Sequence, residues 1–185
     1  MLSDFMQKKM LMMFDLLDYN KTGYLDKNDF DEAFEKLIQI AEIDRTDSRY
    51  SEIRNSFNKR WALIEKYSDE NKDGQVSKEE WLKYCDTLLN DNTLYMKHIT
   101  GIAMMIFEVL GSDQKGQLTQ EGLAKFYEAY GIDPGIAEFV FPNFDLDLDG
   151  FIDIQELKFF FDQFHTSEEP HDAGNQFFGD ISNYL

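Results

Sequence analysis

Asp145-Leu146-Asp147-Leu148-Asp149-Gly150-Phe151-Ile152-Asp153-Ile154-Gln155-Glu156 is the stretch whose reading decides the fold. Aspartates occupy its first, third, fifth and ninth positions, glycine its sixth, an apolar residue its eighth and glutamate its twelfth. Five acids so close together repel one another unless a cation sits among them. Calcium wants six to eight oxygens at about 2.3 to 2.6 Å, and a twelve-residue loop supplies them from positions 1, 3, 5, 7, 9 and 12. Asp145, Asp147, Asp149, the carbonyl of Phe151, Asp153 and the two oxygens of Glu156 fill those positions. Gly150 falls where the chain must turn through a positive φ that strains other residues. A solvated acidic turn could hold alternating aspartates, but would not also require the glycine, the apolar eighth residue and the closing glutamate.

The same twelve-position pattern recurs three times upstream, in register on the glycine. Asp69 to Glu80 offers Asp69, Asn71, Asp73, the Gln75 carbonyl, Ser77 and Glu80 around Gly74. Asp18 to Asp29 offers Asp18, Asn20, Thr22, the Tyr24 carbonyl, Asp26 and Asp29 around Gly23. Asp29 is one methylene shorter than the glutamate of the other two, which lowers the expected coordination number toward six and makes magnesium a better competitor. The remaining copy, Gly111 to Gly122, has lost its acids at both ends and carries Lys115 at position 5, leaving Asp113 alone among side-chain acids at ligand positions. An ammonium at the metal centre repels the ion, so no metal is expected there. Three calcium sites are expected in all, the first shared with magnesium.

Each loop lies between apolar stretches of helical period. Phe5, Met6, Met10, Met13, Phe14 and Leu17 predict a first helix capped by Ser3. Phe30, Trp81, Leu123 and Leu157 open the helices after the loops, with Ala33, Tyr84, Phe126 and Phe160 on the same face three residues on. Further helices are expected over about 48–67 and 94–110, and one capped by Asp133 with Pro134 as its first residue. The fold class read from this is all-α: four EF-hand helix-loop-helix units in two pairs forming a compact globule. The division expected is 1–92 for the first pair, 93–165 for the second, with its third loop a scaffold for the fourth, and 166–185 for a tail packed on the core through Phe177 and Phe178.

Composition narrows the function. With 36 acidic against 18 basic residues and a formal charge of −18, a nucleic-acid partner is excluded, because phosphate recognition needs basic surface. The single cysteine, Cys85, rules out an internal disulfide and fits a reducing compartment. The first residues lack the apolar run of a signal peptide, and no stretch reaches the length of a membrane span. A cytoplasmic location is the expectation. No phosphate loop, nucleophile elbow or zinc-type Cys and His cluster is present, so no enzyme is read.

Leu2-Ser-Asp-Phe5 before the first helix, Lys66-Tyr-Ser-Asp-Glu-Asn-Lys-Asp-Gly-Gln-Val-Ser-Lys-Glu-Glu-Trp81 across the second loop, and the closing Gly174-Asn-Gln-Phe-Phe-Gly179 resemble the invertebrate sarcoplasmic calcium-binding proteins and the related calexcitin-like proteins. That resemblance implies a compact globule of two EF-hand pairs and a role as a calcium and magnesium buffer. It departs from the calexcitin-like pattern at the fourth loop, which is intact here. Two other classes share the motif. A sensor would open an apolar groove to a partner protein, for which Met6, Met10, Met12, Met13, Met104 and Met105 are candidates. A coelenterazine-binding photoprotein-like chain would use Trp61, Trp81, Tyr67, Tyr84, His98 and His165 around a central chromophore. Oligomeric state is not legible from these residues.

Overall fold

A computed structural model of the chain describes residues 1–110 and 117–179; within the helix over 92–110 the side chains of 99, 100, 102–104, 107 and 108 are outside the description. The helices run in the order α1 (Asp4–Leu17), α2 (Lys27–Ile40), α3 (Tyr50–Ser68), α4 (Lys78–Asn90), α5 (Asn92–Leu110), α6 (Gln120–Ala129), α7 (Ile136–Phe144) and α8 (Ile154–Thr166), followed by a 3₁₀ turn at Ala173–Gln176. Among the described residues the extended structure consists of two isolated antiparallel bridges, Leu25 with Val76 and Leu118 with Ile152. The chain is thus all-α, as its periodicity predicts.

Helix starts follow from capping. Ser3 Oγ accepts the Met6 N–H, and each of α2, α4 and α8 opens with a full capping box: Asp26 with Asp29, Ser77 with Glu80, Asp153 with Glu156. In a capping box the first side chain takes an orphan N–H of the helix while the acid three residues on takes the N–H of the cap itself. α6 has half of this device, with Thr119 Oγ1 accepting from Gly122 N at 3.0 Å. One expected boundary moves. α7 begins at Ile136, not Pro134, because Asp133-Pro134-Gly135 forms a turn first: Asp133 O accepts from Ile136 N at 3.1 Å and Asp133 Oδ1 from Gly135 N at 2.9 Å. Pro at the second turn position and Asp at the first favour that geometry.

The apolar faces meet in one continuous core. α1 packs on α4 and α8, α2 on α3 and α6, and α5 on α3, α4 and α8, so helices from both halves of the chain share it. Trp81 is buried and donates its Nε1–H to Met10 O at 2.7 Å, tying α4 to α1. Phe177, after the 3₁₀ turn, has no exposed surface, stacks on Phe144 with ring centroids 5.4 Å apart and meets the Phe161 ring at a tilt, 4.6 Å away. A phenylalanine buried to this extent contributes roughly 1.5 to 3 kcal/mol by area alone.

The tail is also held by a charge. Lys9 on α1 is 0% exposed, donates to Ser167 O at 2.6 Å and Asn175 Oδ1 at 3.0 Å, and lies over the rings of Phe5 and Phe164. Burial pushes its pKa down to about 8, against the opposing pull of Glu168 and Asp172. The unfolded chain keeps that proton to about pH 10.5, so between about pH 8 and 10.5 it binds more protons than the folded one, and stability contributed here rises with pH. Replacing Lys9 with Met leaves two buried acceptors without a donor and should cost about 1 to 3 kcal/mol in denaturant unfolding at pH 7. The gap between the two proteins should widen as pH rises through that window. A parallel pH profile for both would refute the assignment.

Candidate metal centres

Asp145, the capping residue that ends α7, turns both oxygens into its own loop. Oδ1 accepts from Asp149 N at 3.0 Å and Oδ2 from Gly150 N at 2.9 Å. Asp147 Oδ1 accepts from Asp149 N at 3.2 Å and Asp149 Oδ1 from Phe151 N at 2.9 Å. Carboxylate oxygens of Asp145, Asp147 and Asp149 consequently lie within 4.8 Å of one another. Glu156 closes the loop from the far side: Oε1 accepts from Leu146 N at 2.7 Å and Oε2 from Asp153 N at 2.8 Å. The donor set is all oxygen, which suits a hard cation such as calcium or magnesium and not a soft one.

The second loop repeats the pattern almost atom for atom. Asp69 Oδ2 accepts from Gly74 N at 3.0 Å, Asn71 Oδ1 from Asp73 N at 2.9 Å, Asp73 Oδ1 from Gln75 N at 2.9 Å, and Glu80 bridges Glu70 N at 3.2 Å and Ser77 N at 2.9 Å. The N–H of Ser77, ahead of its own burial, holds the Glu80 carboxyl below the usual range. The first loop keeps the position-1 contacts, Asp18 to Thr22 N at 2.9 Å and Gly23 N at 2.8 Å. Thr22 turns its hydroxyl onto the Tyr24 carbonyl at 3.1 Å. Asp29 reaches Asp26 N at 2.8 Å but, on the other side, Asn20 N at 3.1 Å, one residue further along than its counterparts. It is 0% exposed, and burial raises its pKa despite those N–H donors. A ligand carboxylate must be ionised to take a cation, so the first loop gives up its last proton less readily than the second.

Sequence reasoning missed two things here. Position 4 as well as position 6 is left-handed: Lys21, Lys72 and Leu148 have φ of 57°, 62° and 60°, beside Gly23, Gly74 and Gly150 at 86°, 80° and 88°. Lysine at two of these positions and leucine at the third accept the same strained φ, and neither is a residue type that signals it. The second is Gly122, at position 12 of the third loop. Residues 111–116, including Gly111, Asp113 and Lys115, lie outside the described residues, but Gly122 is buried under α5. A Cβ built there would stand 2.8 Å from Leu118 Cδ1 and 2.9 Å from the Leu110 carbonyl oxygen. The space that a chelating side chain would enter is already occupied by backbone. The loop is nevertheless paired: Leu118 and Ile152 exchange backbone hydrogen bonds at 2.9 Å each, and Leu25 and Val76 do so at 2.9 and 2.8 Å in the first pair.

Among the described residues, eight helices joined through such loops and paired by such bridges make the EF-hand fold. A family model described as an EF-hand domain pair matches residues 7–86, and one described as an EF hand matches 136–161. Among relatives, the sarcoplasmic calcium-binding proteins I, III and IV of Branchiostoma lanceolatum are 34% identical over 82 residues, 44% of this chain and 44% of theirs. The chain thus carries EF-hand units at both ends, and over those 82 residues it is similar to the sarcoplasmic calcium-binding proteins, spanning under half of their length. The fold is also that of a sarcoplasmic calcium-binding protein from amphioxus, with a TM-score of 0.71 at 20% identity over 97% of this chain and 99% of that one. It is likewise shared with a Streptomyces coelicolor calcium-binding protein, at 0.76, 18%, 87% and 98%, and with the coelenterazine-binding protein of Renilla muelleri, at 0.73, 18%, 97% and 99%.

Gly122→Ala tests the closed third loop. Alanine in a helix ordinarily gains up to about 1 kcal/mol over glycine, yet here the clash with Leu110 O should make the substitution destabilising by about 1 to 3 kcal/mol in chemical unfolding. Gly101→Ala on α5, whose Cβ would meet nothing within 4 Å, should be neutral or stabilising. Equal effects at the two glycines would show that position 12 is open after all.

Proposed function

We propose that the chain binds calcium through the loops of residues 18–29, 69–80 and 145–156, and serves as a calcium and magnesium buffer. The observation that carries this reading is the fourth loop, where three aspartates converge within 4.8 Å and Glu156 is held across from them by two backbone N–H groups. The names of the amphioxus relatives agree with it. Direct ligands would be Asp145, Asp147, Asp149, the Phe151 carbonyl and Glu156, with the corresponding atoms in the second loop, Ser77 and Asp153 acting at position 9. In the first loop the short, deeply buried Asp29 offers one oxygen in place of two, which favours magnesium's smaller coordination number.

Buffering is favoured over sensing by where the methionines lie. Met6, Met10, Met12, Met13 and Met105 are each at most 3% exposed and belong to the core, so presenting them to a partner would require the helix pairs to open; the side chain of Met104 is outside the description. Among the described residues no helix is long and apolar enough to cross a membrane. Three divalent ions would bring the formal charge from −18 to −12, relieving repulsion among the loop carboxylates.

Calorimetric titration with and without millimolar magnesium tests the reading. Three calcium ions should bind in magnesium-free buffer, and one site should weaken when magnesium is added. Glu156→Gln and Glu80→Gln should each remove one site, while Asp29→Glu should abolish the magnesium effect. Each occupied site held at about a hundredfold above its Kd adds about 2.7 kcal/mol to stability, so a chelator should lower the melting temperature steeply. An unchanged melting temperature would overturn the proposal. Calcium-dependent retention on a hydrophobic resin would instead make the protein a sensor.

A further inference from the structure

Between α3 and α5 lies a cavity of about 210 Å³, lined by Lys59, Arg60 and Leu63 from one helix and Lys97, His98 and Met105 from the other. Three cations therefore converge on one opening in a chain of formal charge −18. Among the described residues no carboxylate stands within ion-pair distance of any of them. Arg60 is set deepest. It also lines a small apolar void formed with Met13, Leu17, Phe126, Tyr130 and Phe178, and burial weakens its hold on the proton, though a guanidinium stays charged in a protein. Its side chain is partly exposed, and what burial it has makes an unpaired charge costlier than it would be in water.

His98 supplies the second observation. It is 2% exposed, its Nδ1 is 2.9 Å from the Tyr84 hydroxyl, and its Nε2 has no hydrogen-bond partner. Burial raises the Tyr84 pKa and lowers that of His98, so the first is a neutral phenol and the second a neutral imidazole. The phenol proton needs an acceptor, and Nδ1 is the one in reach; Nε2 then carries the ring proton. His98 and Arg60 thus line one cavity, and among the described residues neither the imidazole Nε2 nor the guanidinium has a partner.

We propose that this cavity binds a small apolar carboxylate, its oxygens on the Arg60 guanidinium beside the His98 ring and its hydrocarbon body against Leu63 and Met105. The planar fork of arginine matches a carboxylate in two parallel hydrogen bonds. An apolar cavity of about 150 Å³ takes benzene, so this one holds a phenyl ring with a short acid chain, whereas a nucleotide is too large. Lys59 and Lys97, both exposed at the rim, would draw anions toward the opening. Neutral ligands would leave the guanidinium unpaired.

Titration calorimetry on the full calcium-loaded chain with 3-phenylpropionate, and with 3-phenylpropan-1-ol as its neutral counterpart, decides the matter. The acid should bind one to one and saturate, with the alcohol at least about tenfold weaker, as expected for loss of a charge-assisted bidentate pair. Arg60→Gln should weaken the acid by about tenfold or more and leave the alcohol within about twofold. The comparison of the two probes on the unaltered chain stands even if that variant does not fold. Absence of saturable binding by the acid up to about 10 mM, a Kd above the weakest range of specific small-molecule sites, would overturn the proposal. Equal affinity for acid and alcohol would overturn it too, as would a folded Arg60→Gln variant that binds the acid unchanged.

Discussion

The carboxylate at loop position 12 is the constraint on which the rest of the structure depends. In Asp29, Glu80 and Glu156 that one group completes the capping box of the exiting helix and reaches back to an N–H near the start of the loop. Helix start and loop closure are therefore a single event. A helix begun one residue early or late would swing the acid away from the loop. A loop closed differently would leave orphan N–H groups at the helix N-terminus, where each lost cap costs about 1 kcal/mol. The same acid stands at the N-terminal end of the helix dipole, where negative charge is favoured. The positions read as ligands are for that reason also folding signals.

Pairing extends the constraint from one hand to two. The apolar residue at position 8 exchanges two backbone hydrogen bonds with its counterpart, and all four of these residues, Leu25, Val76, Leu118 and Ile152, are 0% exposed. This accounts for a loop that has lost its ligands while keeping Leu118 and Thr119. Its remaining tasks are to offer a bridge to Ile152 and to start α6. At Gly122 the Leu110 carbonyl lies over the position, 2.9 Å from where a Cβ would stand. Loss of a ligand and tightening of the packing belong together, and restoring the acid alone would not reopen the site.

Fold class, loop register and the approximate helices were legible because they follow from local rules: apolar period, capping chemistry and glycine at a left-handed turn. Asp133-Pro134 was misread as a helix start, since the same residues serve a turn equally well and only the three-dimensional path of α7 separates the two. What was not legible depends on residues far apart in sequence. Lys9 reads as a solvated lysine in a Lys8-Lys9 pair, yet it is buried because Ser167 and Asn175, more than 150 positions away, supply its acceptors. In sequence Arg60 is one of several cations between residues 45 and 66. It becomes unusual only when α5 packs over it.

Those two cations sharpen the meaning of a lopsided charge. Among the described residues neither Lys9 nor the partly exposed Arg60 makes an ion pair, although Glu168 and Asp172 act on Lys9 from farther off. Lys9 is met instead by a backbone carbonyl, an amide oxygen and two ring faces, which solvate an ammonium without neutralising it and so suit a group whose task is to pin the tail. Arg60 is met by tyrosines, a methionine and a second unpaired donor on His98, an environment that desolvates a guanidinium without satisfying it. Where the described residues leave a fork of donors unpaired beside an apolar cavity, a ligand carboxylate is the acceptor whose geometry fits it.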